Sequence, residues 1–467
     1  MTSDTSAEDH TGIEPHRIVY PIGAMCAASG VLYGYNLGVI AGAILFIVED
    51  FGLSATLKEI AISASLFGAM FGALVGGKLA DLIGRRRTII FGAALGMLAA
   101  LVGSLSTEIW LLIGHRVFVG FSFGVLACVT PLFVAEVSPT NQRGRLGALF
   151  SVALMVGLLC SYLADFIFSG SAIGWRWMFL VGLAPAVPVI AIMLFLPESP
   201  RWLLARGAVE GARKSLRKLH GSSNVETDIA TLQDGLRASK GGFAELANPM
   251  VKMALIAGVG LAVVRQGTGV AISTFCSPEL FQLAGFNSTT VDLLGTVGVG
   301  AVYVVMTIIA LWLVDRLGRR PLLLGGLFGM IAGFALLFTV LQVPDMTQLT
   351  GWLAVSGLVL FVAAFALGPG AVVFLLISEI FPQQIRGIGM GIANFTLWGV
   401  YLLSTLTFPI LLHLTGKSGP FLVYTLLGVA AWLFVYKVIP ETKGRSLEEI
   451  QSRWRNQRPG SPKSAQA

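Results

Sequence analysis

Twelve runs of mostly apolar residues follow one another along the chain, at 18–48, 59–81, 88–106, 110–134, 146–168, 177–196, 251–283, 292–314, 321–342, 351–377, 388–412 and 420–439. Each approaches or exceeds the roughly 20 residues that a helix needs to cross a hydrocarbon core. Polar residues collect in short intervals between the runs and in one long interval, 198–249, that separates six runs from six. The pattern predicts an all-α membrane protein with twelve transmembrane helices in two six-helix halves. The expected organisation is a polar segment 1–17, an N-terminal half 18–197, linker helices within 198–249, a C-terminal half 250–440 and a tail 441–467. Within the linker, "GAVEGARKSLRKLHG" reads as a charged helix.

Composition strengthens this reading. Only 12% of the residues are charged and 55% are hydrophobic, with a mean hydropathy of +0.80, whereas soluble domains carry about 25% charged residues. The 56 glycines fit membrane helices, where small residues let backbones approach. The net charge of +7 is distributed by loop, which argues against nucleic acid as a partner. Arg85, Arg86, Arg87, Arg143, Arg145, Arg316, Arg319, Arg320 and Arg386 occupy alternate short loops, and Glu49, Asp50, Glu108 and Asp345 the opposite ones. The positive-inside rule then places both termini in the cytoplasm of a multi-pass plasma (inner) membrane protein. Cys26, Cys128, Cys160 and Cys276 lie within apolar runs without metal-type spacing, so neither a disulfide framework nor a metal site or other cofactor is expected. The absence of a nucleophile and base pairing argues against an enzyme. The expected partners are the lipid bilayer and a small-molecule substrate, with the chain acting as a monomer.

The two halves repeat each other. "LADLIGRRR" near Gly84 returns as "LVDRLGRRP" near Gly318, an offset of 318 − 84 = 234. "AEVSPTNQRGRLG" near Glu136 returns as "SEIFPQQIRGIGM" near Glu379, an offset of 379 − 136 = 243, and "PESPRWLL" near Glu198 returns as "PETKGRSL" near Glu441, again 441 − 198 = 243. Duplicated six-helix halves suit a transporter whose site lies between them at mid-membrane. Together with "HRVFVGFSFG", these motifs make residues 18–452 resemble the sugar porter family of the major facilitator superfamily. The resemblance implies the major facilitator fold and transport of a sugar or polyol by alternating access. A carrier of a small organic anion, an exporter of apolar metabolites or drugs, and a solute sensor that moves nothing stay open as alternatives.

Three sets of residues carry the expected chemistry. Asp81, Arg85, Glu136, Arg143, Asp315, Arg319, Glu379 and Arg386, with Glu198 beside Arg201, recur on one side of both halves. They read either as solvated surface pairs worth about 0–1 kcal/mol or as a cytoplasmic gate that latches the halves when the site opens outward. The family's helix-7 pattern of two amides, a hydroxyl, a glycine and a further amide is read here as "RQGTGVA". Gln266, Thr268 and Gly269 match, and Arg265 and Ala271 replace amides. The other implied substrate positions hold Ser151, Tyr303, Phe374 and Trp398, with apolar Leu158 and Leu397 where amides are expected. Arg265 reads as an anion-binding group, or as a cation that snorkels or pairs with Asp165. In "YGYNLGVI", Asn36 occupies the place where proton-driven relatives carry a carboxylate, with Arg116 as its expected neighbour. An amide cannot take and release a proton, so uniport is expected, with Asp165 as the substitute proton site if symport occurs.

Overall fold

With no water in hydrocarbon to serve the backbone, each apolar run closes its own hydrogen bonds as a helix. The structure is a computed structural model that describes residues 18–443 apart from 140–141, 172, 221–224, 239–248, 287, 344–346 and 382–385. Helices α1 (Val19–Gly38) and α2 (Ile40–Phe51) form the first span, followed by α3 (Ala55–Ile83), α4 (Arg85–Ser104), α5 (Ile109–Val137) and α6 (Arg143–Phe168). The sixth span is α7 (Gly174–Val181) continued by α8 (Ala186–Phe195). The short helices α9 (Pro200–Ala205), α10 (Val209–His220) and α11 (Val225–Ala238) follow, so the charged linker stretch is helical.

In the second half, α12 (Pro249–Gly267), α13 (Val270–Phe275) and α14 (Ser277–Leu283) occupy the seventh apolar run. After them come α15 (Thr289–Leu317), α16 (Arg319–Val340), α17 (Gln348–Phe365), α18 (Ala371–Ile380), α19 (Arg386–Thr415) and α20 (Gly419–Val438). Among the described residues, eleven helices are long and apolar enough to cross a membrane. The run predicted at 251–283 is instead broken twice. Gly269, at φ +93°, makes a left-handed turn between α12 and α13, a conformation that side chains with a Cβ avoid. Pro278, in the first turn of α14, marks the second break. Between α17 and α18 a π turn, Ala366–Gly370, contains Pro369; the wider turn accommodates the missing backbone donor. The turn at Gly269 and the π turn that holds Gly368 and Gly370 fall at glycines, whereas the break at Pro278 does not.

Packing pairs α3 with α5 and α1 with α6 in the first half, and α16 with α17 and α20, and α12 with α19, in the second. The halves meet along α6 against α15 and α3 against α19. The apolar core is unevenly shared. One cluster runs from Leu327 and Phe361 in the C-terminal half into Ile40, Ile44, Leu66, Trp175 and Met178 of the N-terminal half. Ile22, Met25, Val129, Phe133 and Met193, nearer the arginine loops, form a separate cluster of the N-terminal half that also takes in Leu219 of α10. Among the described residues, the buried apolar clusters therefore join the halves on the side away from the arginine loops and not on the arginine side.

Candidate functional site

The arginine loops are built twice on one plan. Helices α3 and α15 are both 29 residues long. Each ends at a glycine of positive φ, Gly84 at +98° and Gly318 at +95°. A Cβ at Gly84 would lie 2.3 Å from Glu198 Oε2, and one at Gly318 2.8 Å from Glu441 Oε2. These carboxylates sit against the N-termini of α4 and α16, where backbone N–H groups lack partners and the helix dipole favours negative charge. Glu198 accepts from the N–H of Arg85 at 3.0 Å, Arg86 at 3.2 Å and Ser199 at 2.8 Å. Glu441 accepts from Arg319, Arg320 and Thr442 at 3.0 Å each and from Lys443 at 2.9 Å. Burial raises the Glu441 pKa, but these four donors outweigh it and hold the carboxyl below the usual range.

The side chains differ in tightness. Arg85 donates from Nη1 to Asp81 at 2.8 Å and from Nε and Nη2 to both oxygens of Glu136, at 2.9 and 3.2 Å. Arg319 reaches Asp315 at 3.4 Å and Glu379 at 3.3 Å. Two predicted pairings are corrected. Arg143 does not meet Glu136; its Nε donates to the Ser138 carbonyl at 3.2 Å, because α5 ends there and leaves carbonyls unpaired. Glu198 does not meet Arg201, since the start of α4 offers it backbone donors instead. Arg386 opens α19, and its side chain lies outside the described residues. In this conformation the charges do not latch the halves: among the described residues, every ion pair of these loops stays within one half. The pair that crosses is Lys58–Glu279, between α3 and α14 on the opposite face. There α2 also packs against α13 and α14.

Asn36 and Arg116 are brought together. Asn36 Nδ2 donates to the Leu32 carbonyl at 2.9 Å, so the amide is engaged within its own helix. Arg116, fully buried, donates to the Asn36 carbonyl at 3.4 Å and to Ser65 Oγ at 2.9 Å, while its Nε has no partner. The close approach of α5 to α3 makes this reach possible: a Cβ at Gly120 would lie 1.9 Å from the Ser65 carbonyl oxygen. Asp165 accepts from the Gly42 N–H at 3.0 Å and keeps Oδ1 unpartnered; it does not pair with Arg265.

At the seam between the halves lies an aromatic set. Tyr33 stacks on Phe123, with centroids 5.3 Å apart, and both rings meet Trp398 of α19, at 6.0 and 5.6 Å. Trp398 in turn stacks on Tyr401 at 6.2 Å, and Tyr401 on Phe275 at 5.4 Å. Beside them Arg265 holds its guanidinium over Phe374, 4.3 Å from the ring centroid, and 5.8 Å from that of Phe365. Tyr303 shares a 2.8 Å hydrogen bond with Ser273. Thr268 turns its hydroxyl to the Val264 carbonyl at 2.9 Å, and Gln266 accepts from Ser404 at its backbone oxygen, at 3.2 Å. Ser151 bonds back to the Gly147 carbonyl at 3.4 Å. Of the predicted substrate positions, Arg265, Phe374, Trp398 and Tyr303 therefore cluster with aromatic neighbours, and Ser151 and Thr268 spend their hydroxyls locally. Tyr33 and Tyr401 were missed. Helical spacing marks both, since Tyr33 precedes Asn36 by three positions and Tyr401 follows Trp398 by three.

Comparison with known proteins fits this arrangement. The family described as "Sugar (and other) transporter" matches residues 22–454. YwtG of Bacillus subtilis (strain 168), named as a metabolite transport protein, is 38% identical over 91% of this chain and 93% of its own. The glucose transporter GlcP of Staphylococcus epidermidis is 35% identical over 92% of this chain and 96% of its own. Among solved structures, the partially occluded inward-open xylose transporter XylE of E. coli superposes with a TM-score of 0.80 at 27% identity, covering 92% of this chain and 99% of XylE. The chain belongs to the sugar porter family of the major facilitator superfamily and is a multi-pass membrane transporter, not an enzyme.

Proposed function

We propose that the protein is a uniporter that moves a sugar-like solute by alternating access through the inner membrane, as a monomer with both termini cytoplasmic. The observation that carries the site is the contact of Tyr33 with Trp398 across the halves, 6.0 Å between centroids. Aromatic faces suit the C–H faces of a sugar, and surrounding phenols supply donors and acceptors. The arginine loops then face the cytoplasm, and the halves touch on the outer face through Lys58 and Glu279, an arrangement that suits an inward-facing state.

Uniport follows from Asn36. Its amide is bound to Leu32, and Arg116 donates to the Asn36 main-chain carbonyl and to Ser65 rather than to the side chain at position 36. The test is net solute uptake down an imposed solute gradient into proteoliposomes loaded with a pH-sensitive dye, with counterflow as the check that solute crosses at all. Net uptake without proton movement is expected, with glucose and xylose, the sugars for which GlcP and XylE are named, as first probes. Proton entry in step with solute would refute uniport. If Asp165→Asn then abolished it, Asp165 would be the carrier. Solute binding without counterflow would favour a sensor.

A further inference from the structure

We infer that the transported solute carries a carboxylate, so that the natural cargo is a sugar acid rather than a neutral sugar; this rests on the sugar-like reading of the same site. Arg265 stands in the last turn of α12, beside the break at Gly267–Gly269. Its guanidinium lies over the Phe374 ring at 4.3 Å, and Phe374 is 44% exposed, so one face of this pair is open. A ring face attracts the cation but accepts none of its in-plane N–H donors in the geometry a carboxylate offers. Arg265 Nε is buried and has no hydrogen-bond partner. Among the described residues, the ionisable groups that act on it are the phenols of Tyr33, Tyr401 and Tyr303. None of these is a carboxylate, and Asp165 is bound elsewhere, to Gly42.

A cation at this depth is costly unless something compensates it, and the neighbours of Arg265 among the described residues are rings and phenols. A planar carboxylate is the group that matches a guanidinium fork. The aromatic set beside it, Tyr33, Trp398 and Tyr401, offers ring faces to the remainder of such a solute. A drug-like apolar cargo would use the rings and leave the orphaned Nε buried and unpaired. An uncharged sugar would satisfy it through a hydroxyl while leaving the charge unbalanced.

The test uses full-length protein in proteoliposomes with a potassium diffusion potential set by valinomycin. The probes are D-glucuronate and D-gluconate against D-glucose and D-galactose. A uniported monoanion should accumulate toward a positive interior by about 50-fold per 100 mV at equilibrium, and a neutral sugar should ignore the potential. Arg265→Gln should lower the preference for acid over neutral sugar at least about tenfold, the scale of one charge-assisted hydrogen bond, and Arg265→Lys should retain part of it. If Arg265→Gln does not fold, the potential dependence of the wild-type protein decides alone. Potential-independent uptake of neutral sugars with no uptake of acids would overturn this inference and leave sugar uniport standing. Uptake of neither class by protein that melts cooperatively would overturn both.

Discussion

Arg85→Ala and Arg319→Ala remove the same residue from two copies of one motif, yet they should differ several-fold in stability. The Arg85 side chain is 10% exposed and its partner Glu136 only 5%. Truncating the arginine leaves a buried carboxylate unpaired, which costs about 3–5 kcal/mol. The second partner, Asp81, is 72% exposed and adds about 0–1 kcal/mol. In the other half, Glu379 is 30% exposed and 3.3 Å from Arg319, and Asp315 is 78% exposed. That loss should be near 1 kcal/mol, since water can serve the released carboxylates. Unfolding in mixed detergent micelles, followed by tryptophan fluorescence, measures both. Adding Glu136→Gln to Arg85→Ala should recover about 1–2 kcal/mol, because the stranded charge is gone. Equal losses for the two arginines, or no recovery from Glu136→Gln, would refute the reasoning. The looser C-terminal cluster is then the one able to rearrange at low cost during the transport cycle.

Three further outcomes follow from the same loops and from the opposite face. Gly84→Ala and Gly318→Ala both force a Cβ into a positive-φ position and against a carboxylate, at about 1–3 kcal/mol each. Gly84→Ala should be the worse, since its Cβ would come to 2.3 Å rather than 2.8 Å; micelle unfolding ranks them. Glu441, held below the usual carboxyl range by four N–H donors, contributes stability that is complete above the unfolded value of about 4.3 and is lost as pH falls through its lowered folded value. The stability gap between wild type and Glu441→Gln should therefore be constant above pH 5 and narrow in stronger acid. Glu279→Gln cuts the ion pair that crosses the halves, so spin labels on α2 and α14 should show a larger population of separated distances. An unchanged distribution would remove Lys58–Glu279 from any role in holding that face shut.

The fold was legible because each level of the sequence points the same way. Apolar runs of spanning length, arginines in alternate loops and three repeated motifs leave one architecture, and the pairing of Asn36 with Arg116 was legible from the motifs that carry them. Three things were not. Which carboxylate takes which arginine depends on helix ends: Ser138 drew Arg143 because α5 stops there, and Glu198 turned to backbone donors because α4 starts there. The first break in the seventh run falls at a glycine, Gly269, but the second, at Pro278, does not. The aromatic seam requires knowing which faces of α1 and α19 meet, and a single chain's periodicity does not specify partners between halves. Tyr33 and Tyr401 were therefore invisible as a pair, although each stands one helical turn from a residue already singled out.

Asn36 and Arg265 alter one electrostatic balance. Relative to the family's proton-driven members, the first removes a negative charge beside Arg116, and relative to its helix-7 pattern the second adds a positive charge at the seam. Arginine does not deprotonate in proteins, so both cations persist through every step of alternation, and a solute anion is what can offset them. Charge moved per cycle then becomes a sum of two independent choices. Wild type should move one negative charge with its anionic solute. Asn36→Asp supplies a carboxylate that takes a proton, so proton and anion should travel together with no net charge. Arg265→Gln should favour a neutral solute by uniport, again with none. The double variant should carry a proton with a neutral solute, one positive charge per cycle, and its current should oppose that of the wild type. Solid-supported membrane recordings read the sign directly. A double variant whose current keeps the wild-type sign would show that the two positions do not govern coupling and cargo charge separately.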